Sequence, residues 1–329
     1  MKKTAVFLVF VLLMTLFALS SCGDDSLEFT SNGDGTCYVA GIGTCKGPEI
    51  VIPSTSPDGD TVVGIGYAAF ARCSEITSIS IPDTIQYVGQ SAFAQCTSLN
   101  FNVYEDANYL GNENNPYLIL IKATEDKETY TIHENTKFIY SGAFANKTVL
   151  KSITVPSKVI SIGAAVFSNC SALEEVVLPE GVIELGENAF YHCDALVNLR
   201  IPDSLEIVGN DTFAWCGNLN QTEYHGMHYI GNENNPYLVL MWADSEKISE
   251  NCVLHPDTKF IDDGAFSSCY ALTSISIPAS LLRVGDYAFD SCSNLTDVYY
   301  GGSETDWASV TIEEANYPLT DGNFHYNHN

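Results

Sequence analysis

Basic residues are scarce in this chain. Its 329 residues include 14 Lys and Arg against 41 Asp and Glu, which gives a formal net charge of -27 at pH 7. Such a strongly negative molecule repels phosphate backbones and anionic membrane surfaces. The composition therefore excludes nucleic acid as a partner, and it also excludes attachment to a membrane by charge alone.

The motifs of common catalytic and metal centres are missing as well. The sequence contains no Gly-x-Ser-x-Gly, no His-Glu-x-x-His, no phosphate-binding loop and no dinucleotide-binding fingerprint. Its 11 cysteines never show the Cys-x-x-Cys spacing of structural zinc sites. We therefore expect a protein that is not an enzyme, with no catalytic residues, no metal and no cofactor.

Long hydrophobic stretches are absent after the first 21 residues. There, two lysines precede the apolar segment Ala5–Ala18, which is too short to span a bilayer, and Leu19-Ser20-Ser21-Cys22 follows. This order matches a bacterial lipoprotein signal. We predict a signal peptide over residues 1–21 and lipidation of Cys22, with residues 22–29 forming the lipidated cysteine and a linker.

A short phrase recurs through the rest of the chain. It reads Leu-x-x-Ile/Val-x-Ile/Leu-Pro, then Ile/Val-Gly, then Ala-Phe-x-x-Cys, and most neighbouring copies lie 23 residues apart. A fixed period of this size is typical of a solenoid, in which each repeat buries its apolar groups only by stacking on its neighbours. The aligned phenylalanines are Phe70, Phe93, Phe144, Phe167, Phe190, Phe213, Phe266 and Phe289.

Each part of the phrase predicts a local structure. The alternating apolar residues indicate a short strand with one buried face, which the proline ends. The Ile/Val-Gly step indicates a second short extended piece, and the Ala-Phe-x-x-Cys spacing predicts one helical turn with all three side chains on one side. Seven cysteines share this last position, and we interpret them as a ladder of buried thiols: Cys73, Cys96, Cys170, Cys193, Cys216, Cys269 and Cys292. Cys37 and Cys45 lie outside the ladder, and the sequence leaves open whether they form a disulfide.

Two longer spacings, between Phe93 and Phe144 and between Phe213 and Phe266, contain a second duplicated phrase. The string Gly-Asn-Glu-Asn-Asn-Pro-Tyr-Leu occurs at residues 111–118 and again at 231–238. An Asn-rich stretch that ends in proline between two apolar runs predicts a hairpin loop. We therefore predict two hairpin-containing insertions, at about 104–138 and 224–260, that add strands to the stack.

These motifs resemble the BspA-like leucine-rich repeat family. The resemblance covers nearly all of residues 30–329, and the ending from Val298 to Asn327 looks like the family's usual last repeat and cap, at about 296–329. It implies a single domain over residues 30–329, folded as a right-handed leucine-rich repeat solenoid with a curved parallel sheet. Such an α/β solenoid is mainly β with short helical turns.

The resemblance also implies a non-catalytic bacterial cell-surface protein that mediates adhesion or protein-protein recognition. Together with the Cys22 motif it implies an outer membrane lipoprotein, attached only through its N-terminal lipid. Gly23-Asp24-Asp25 resembles a surface-export signal of Bacteroides-type bacteria. The expected partner is a host matrix or surface protein, or another bacterial surface protein, and we expect a monomer. The alternative is a structural or glycan-capturing surface module of a larger assembly, which would use exposed aromatic residues: Tyr117, Tyr237, Tyr299 or Trp307.

The outward positions of the repeated strand suggest where a ligand binds. Most are small and polar, but Glu175, Val177, Asn198 and Arg200 place an acid, an apolar group, an amide and a base side by side. We predict that these four residues form a binding patch, although ordinary cross-strand pairing on a solvated sheet explains them equally well. The Asn-Glu-Asn-Asn-Pro loops are a second candidate, since loops on a rigid array often carry binding.

Overall fold

A computed structural model describes residues 26–328 of the chain. The predicted signal peptide and the lipidation site Cys22 lie outside the described residues. The chain divides into two compact units. Of the described residues, the first contains 26–124 together with 135–141, and the second contains 125–134 together with 142–328.

The first unit is built from short strands. These are β1 (Glu28–Ser31), β2 (Thr36–Gly41), β3 (Glu49–Val51), β4 (Thr61–Ile65), β5 (Ser78–Ser80), β6 (Tyr87–Val88), β7 (Asn102–Tyr104), β8 (Ala107–Leu110), β9 (Ile119–Ala123) and β11 (Phe138–Ile139). β1 pairs antiparallel with β2, and β2-β4-β6 and β3-β5 are parallel ladders. β7, β8 and β9 pair antiparallel in succession, and β9 then pairs parallel with β11.

The second unit continues the pattern over more residues. Its strands are β10 (Thr129–Thr131), β12 (Ser152–Thr154), β13 (Ser161–Ile162), β14 (Glu175–Val177), β15 (Glu184–Leu185), β16 (Asn198–Arg200), β17 (Ile207–Val208), β18 (Thr222–Tyr224), β19 (Met227–Ile230), β20 (Val239–Ala243), β21 (Asn251–Val253), β22 (Phe260–Ile261), β23 (Ser274–Ile277), β24 (Arg283–Val284), β25 (Asp297–Tyr300), β26 (Thr311–Ile312) and β27 (Asn323–Tyr326). Parallel ladders run through β10-β12-β14-β16, through β13-β15-β17, through β20-β22-β24-β26 and through β21-β23-β25-β27.

This arrangement confirms the predicted solenoid of mainly β structure with repeats of about 23 residues. Parallel partners are equivalent residues of neighbouring repeats, as in the pairing of Glu175 with Asn198. Each full repeat supplies one strand from its Leu-x-x-Ile-x-Ile segment and a second, two-residue strand before its Ile/Val-Gly step. The middle residue of the first strand points into the core, as Ile153 and Val176 do, while its neighbours face outward.

The aligned phenylalanines form the centre of the core. In the first unit, Phe70 and Phe93 stack with their ring centroids 6.0 Å apart. In the second unit, Phe144, Phe167, Phe190 and Phe213 stack in succession at 5.3 to 6.2 Å. Offset stacking of such rings adds to the stabilisation from burial. The phenylalanine period in the sequence is therefore the period of the core itself.

The Ala-Phe-x-x-Cys segment differs in detail from the predicted helical turn. The non-glycine residues two before and two after the phenylalanine adopt positive φ, as Ala165 (54°) and Asn169 (59°) do around Phe167. Alternate backbone N–H groups then donate to the next repeat, for example Phe167 N to Ala189 O at 2.8 Å. A left-handed residue costs roughly 1–2 kcal/mol, and this ladder between repeats offsets the cost. The Ala, Phe and Cys side chains still share the buried side.

The cysteine ladder is confirmed, and its thiols also serve as hydrogen-bond donors. Cys193 Sγ donates to the Phe167 carbonyl at 3.2 Å, and Cys216 Sγ donates to the Phe190 carbonyl at 3.0 Å. The same contact recurs in both units, through Cys96 to Phe70 and through Cys170 to Phe144. Each of these thiols thus fills a small apolar gap and satisfies a carbonyl of the preceding repeat, whereas Cys73 is partly exposed and its thiol donates to Ala71 O within its own repeat. Outside the ladder, Cys37 and Cys45 are both buried thiols, not bridged to each other.

Two helical turns close the C-terminal end of the second unit. Helix α1 (Glu304–Trp307) begins with a capping box, in which Ser303 and Asp306 bond each other's backbone N–H groups, and α2 (Tyr317–Thr320) follows. Trp307 packs against Tyr300 and Phe324, with ring centroids 5.0 and 4.9 Å apart. Within residues 26–328, neither helix has the length and apolar character that crossing a membrane requires.

Candidate functional site

The second insertion folds into the predicted hairpin and then returns to the solenoid. β18 and β19 pair antiparallel, β19 and β20 pair antiparallel, and β20 runs parallel to β22. The Asn-Glu-Asn-Asn-Pro sequence is the loop between β19 and β20. The insertion therefore adds strands to the ladder, and it brings this loop beside β16, where Ile201 N donates to Gly231 O at 3.3 Å.

One asparagine fixes the conformation of the loop. Asn232, which is 8% exposed, donates to Ile201 O and to Asp203 Oδ1, both at 2.9 Å. Its side-chain oxygen accepts hydrogen bonds from the backbone N–H groups of Asn234 and Asn235 at 2.8 and 2.9 Å. The loop is thus locked onto the preceding repeat, which gives it the rigidity that a recognition loop needs.

A cavity of about 330 Å³ lies between this loop and the outward faces of β14 and β16. All four residues of the predicted patch line it. Glu175 lies beside Asn198 in the parallel register, and Val177 lies beside Arg200. The insertion contributes the remaining wall through Thr222, Asn232, Glu233 and Pro236, among others.

The two candidate regions of the sequence, the sheet patch and the loop, therefore line one cavity in the second unit. Sequence reasoning missed this convergence, and it also missed the contribution of Asn220 and Thr222. The available signal was the position of the insertion. It follows directly on the repeat that contains Asn198 and Arg200, so in a stacked fold it must lie beside that repeat.

Within residues 26–328, the one base that lines the cavity is paired with an acid, but the two acids that line it are not paired. Arg200 is neutralised by Glu180, with Nη2 and Oε1 3.1 Å apart and both side chains about half exposed. Asn220 donates to Asn198 Oδ1 at 2.9 Å and orders the amide row. Glu175 and Glu233, by contrast, have no ion pair within the described part of the chain. The cavity therefore offers free carboxylates, amides and a small apolar surface, which suits hydrogen bonding to a polypeptide with basic side chains.

The first unit contains the corresponding positions with different residues. Asn112 anchors its loop with the same four contacts, donating to Ile81 O and Asp83 Oδ1 and accepting from two backbone N–H groups. The strand positions that hold Asn198 and Arg200 in the second unit hold Ser78 and Ser80 here. The scaffold is duplicated, but the acid, amide and base combination belongs to the second copy.

The aromatic residues of the glycan alternative are largely engaged in packing. Tyr117 lies edge-on to Tyr109 at 5.5 Å, and Tyr237 stacks on His255 at 3.7 Å. Trp307 is packed in the cap, as described above. Tyr299 lines a cavity at the C-terminal end of the second unit.

Across residues 26–328, no group of three or more His, Cys, Asp or Glu side chains is placed to hold a metal ion. The charged and amide residues that line the cavity beside β14 and β16 are glutamates, asparagines and an arginine. The lining contains no His, Cys or Ser.

Comparison with known proteins identifies one family. The model of the BspA type leucine rich repeat region matches in six copies, over residues 45–117, 126–234 and 244–316. No curated protein matches the chain.

Several solved structures of leucine-rich repeat proteins are similar to the chain. One from Bacteroides ovatus is 23% identical with a TM-score of 0.36, and the match covers 92% of this chain and 77% of that one. The T. pallidum leucine rich repeat protein is 22% identical with a TM-score of 0.39, over 60% of this chain and 81% of that one. A leucine rich cell surface protein from Faecalibacterium prausnitzii is 19% identical with a TM-score of 0.29, over 88% and 97% of the two chains.

Proposed function

Since the chain belongs to the BspA type leucine rich repeat family, we propose that it is a non-catalytic protein-recognition module of the bacterial cell surface. The observation that carries the proposal is the cavity beside β14 and β16. In it, a rigid sheet and a rigid loop together present Glu175, Val177, Asn198 and Arg200. Preformed surfaces of this kind bind without a large ordering cost.

The partner is a host matrix or surface protein, or another bacterial surface protein, bound by a monomer. The chain carries a net charge of -27, and two glutamates of the cavity lack an ion pair in the described residues. A partner with a basic segment is favoured by this charge complementarity. Binding should therefore weaken as salt is added, because the attraction between exposed charges is screened.

Binding to an array of purified host matrix proteins and glycans tests the proposal. The full chain is compared with a Glu175→Ala/Arg200→Ala variant, which removes one acid and one base from the cavity. A Glu128→Ala/Lys151→Ala variant is the matched control, because it removes the exposed 2.9 Å ion pair between the residues that directly precede β10 and β12, without a change in net charge.

A protein ligand that the cavity variant loses and the control variant keeps would support the proposal. A glycan ligand that both variants keep would contradict it and would favour the glycan-capturing alternative. A protein ligand that both variants keep would support protein recognition, but it would show that this cavity is not the binding site.

Attachment to the outer membrane is proposed to depend on a lipid at Cys22. The protein should therefore fractionate with the outer membrane and should be accessible to protease on intact cells. A Cys22→Ser variant should lose the lipid mass and appear in the soluble fraction. An unchanged membrane association of this variant would contradict lipid anchoring.

A further inference from the structure

The parallel sheet that contains β10, β12, β14 and β16 ends at β16, and this edge borders the cavity beside β14 and β16. Among the described strands, β16 pairs only with β14. Asn198 N donates to Glu174 O at 3.1 Å, and Leu178 N donates to Arg200 O at 3.4 Å. Because the backbone N–H and C=O groups of successive residues point to opposite edges of a strand, those of Leu199 point away from β14.

The second insertion covers this edge at both ends but leaves its middle open. Asn220 N donates to Val197 O at 3.0 Å, and Ile201 N donates to Gly231 O at 3.3 Å. Within residues 26–328, neither the N–H nor the C=O of Leu199 has a hydrogen-bond partner. The strand from residue 197 to residue 201 is about 13 Å long. The open stretch between the two contacts therefore has the length of about three extended residues.

The side chain of Leu199 shows the same opening. The corresponding middle residues of β12 and β14, Ile153 and Val176, are 4% and 0% exposed, because each has a strand on both sides. Leu199 is partly exposed, and it lines the cavity together with Thr222 and Tyr229. A strand edge with unpaired backbone groups is a template for the addition of another strand. The cavity is therefore shaped to receive an extended segment.

The side chains around the edge select the sequence of such a segment. A residue added opposite Leu199 points to the same face of the sheet, towards an apolar lining that includes Ile230. Its two neighbours point outward, beside Asn198 and Arg200. Glu175 lies beside Asn198 in register, so its backbone is two strand spacings, roughly 10 Å, from the added residue. The side chains of a glutamate and a lysine together span that distance.

The charges favour basic residues at these outward positions. Glu175 on the sheet and Glu233 on the loop line the cavity from two sides, and both are exposed. Arg200 is already neutralised by Glu180. An added strand with basic side chains therefore gains electrostatic attraction, while its backbone gains the hydrogen bonds of Leu199.

We propose that this cavity recognises its partner by strand addition, in which an extended basic-apolar-basic segment pairs with the backbone of Leu199. This inference rests on the recognition function proposed for the cavity, and it adds the binding mode and the class of sequence that is bound. In strand addition the backbone hydrogen bonds contribute affinity, and the alternate side chains contribute specificity.

The probe is the peptide acetyl-Thr-Lys-Val-Lys-Thr-amide, whose sequence is the same in both directions and therefore suits parallel and antiparallel pairing. It is titrated against the ¹⁵N-labelled full chain, and the hydrogen exchange of single amides is followed by NMR. Saturating peptide should slow the exchange of the Leu199 N–H by about tenfold or more, because this group gains an acceptor. Ile79, the equivalent residue of β5, is only 7% exposed, and its exchange should not change.

Methylation of single nitrogens of the peptide identifies the pairing. In an antiparallel pair the N–H of the valine donates to Leu199 O, whereas in a parallel pair the N–H of the second lysine does. Methylation at one of these two nitrogens should therefore weaken binding by about tenfold or more. Methylation at the other nitrogen should leave binding close to that of the parent peptide, so each modified peptide is the control for the other.

The charge requirement is tested on the protein. A Glu175→Gln/Glu233→Gln variant should bind the probe about tenfold more weakly. A Glu75→Gln/Glu206→Gln variant is the matched control, because it removes two exposed charges outside the cavity, and it should bind the probe like the unchanged chain.

Three results would overturn strand addition. The first is that the probe does not bind, or binds equally well to both glutamine variants. The second is that Leu199 is not protected from exchange, or that Ile79 is protected equally. The third is that the two N-methyl peptides bind alike.

Failure of this binding mode is distinguishable from failure of the recognition function. A partner that the Glu175→Ala/Arg200→Ala variant loses, together with an unprotected Leu199, would support recognition and exclude strand addition. Protection of Leu199 by the probe, with no partner affected by that variant, would support the strand-addition site and count against the wider function.

Discussion

At the scale of single residues, the aligned cysteines differ in solvent exposure, and the rate at which an alkylating agent modifies them detects this difference. Burial raises the pKa of Cys170 and Cys292 to about 12, so neither forms the thiolate that alkylating agents attack. Cys73 also has a pKa raised by burial, but it is the one aligned cysteine with appreciable exposure. Solvent exposure therefore decides the order in which the aligned cysteines react with an alkylating agent.

We expect iodoacetamide to modify Cys73 first when the native protein is treated at pH 8. The other six aligned cysteines should react only after unfolding, and peptide mapping by mass spectrometry gives the order. Equally rapid modification of Cys193 in the native protein would contradict the buried ladder.

Asp262 is a second residue with a measurable property, because its raised pKa makes the stability of the protein depend on pH. Burial, with the neighbouring Asp263 charge as the next cause, raises its pKa to about 7 from a usual value of 3.8, although Arg283 partly opposes the shift. Its Oδ1 has no hydrogen-bond partner in the described structure. The folded state therefore keeps a proton that the unfolded chain releases between about pH 4 and pH 7. The contribution of Asp262 to stability falls over that range as the pH rises.

An Asp262→Asn variant should consequently be more stable than the unchanged protein at pH 8, by on the order of 2 kcal/mol, and similar to it at pH 4. Thermal or urea unfolding at the two pH values measures the difference. Asp58→Asn, at an exposed turn position, is the control and should show no such dependence. A loss of stability at pH 8 on Asp262→Asn would mean that the charged carboxylate is stabilising.

At the scale of structural elements, the two insertion loops form an internal comparison. Asn232 and Asn112 make equivalent hydrogen bonds in equivalent loops. Replacing either with alanine leaves backbone groups unpaired, and each change should reduce the free energy of unfolding by roughly 1–3 kcal/mol.

Only Asn232→Ala should also weaken binding in the cavity beside β14 and β16, because only that loop borders the acid, amide and base patch. Binding of the partner found on the array, measured for both variants, separates the two effects. An equal loss of affinity in Asn112→Ala would show that the patch does not determine recognition.

The elements also show which features the sequence could predict. The strands follow from alternating Leu and Ile residues that are buried on one face, and the hairpins follow from an Asn-rich loop between apolar runs. The turn around each phenylalanine was harder to predict, because a spacing of three residues fits both a helical turn and the left-handed turns at Ala165 and Asn169. The shared cavity was not predictable from local patterns, since its walls come from repeats that meet only on stacking.

At the scale of the whole molecule, the excess of acidic residues sets the dependence of stability on salt. With a net charge of -27, the folded chain holds its like charges closer together than the unfolded chain does, so their repulsion destabilises the folded state. Ion pairs such as that between Arg200 and Glu180 act in the opposite direction, but exposed pairs contribute little. The repulsion should therefore dominate.

We expect the melting temperature at pH 7 to rise by a few degrees between about 10 mM and 150 mM NaCl, because the screening length falls from roughly 30 Å to 8 Å. The same titration near pH 4.3, where the sequence pI lies, is the control. The net charge is close to zero there, so the rise should disappear. A melting temperature that falls with salt at pH 7 would mean that attractive pairs outweigh the repulsion. A rise of equal size at both pH values would assign the effect to the salting-out of apolar surface instead of to charge.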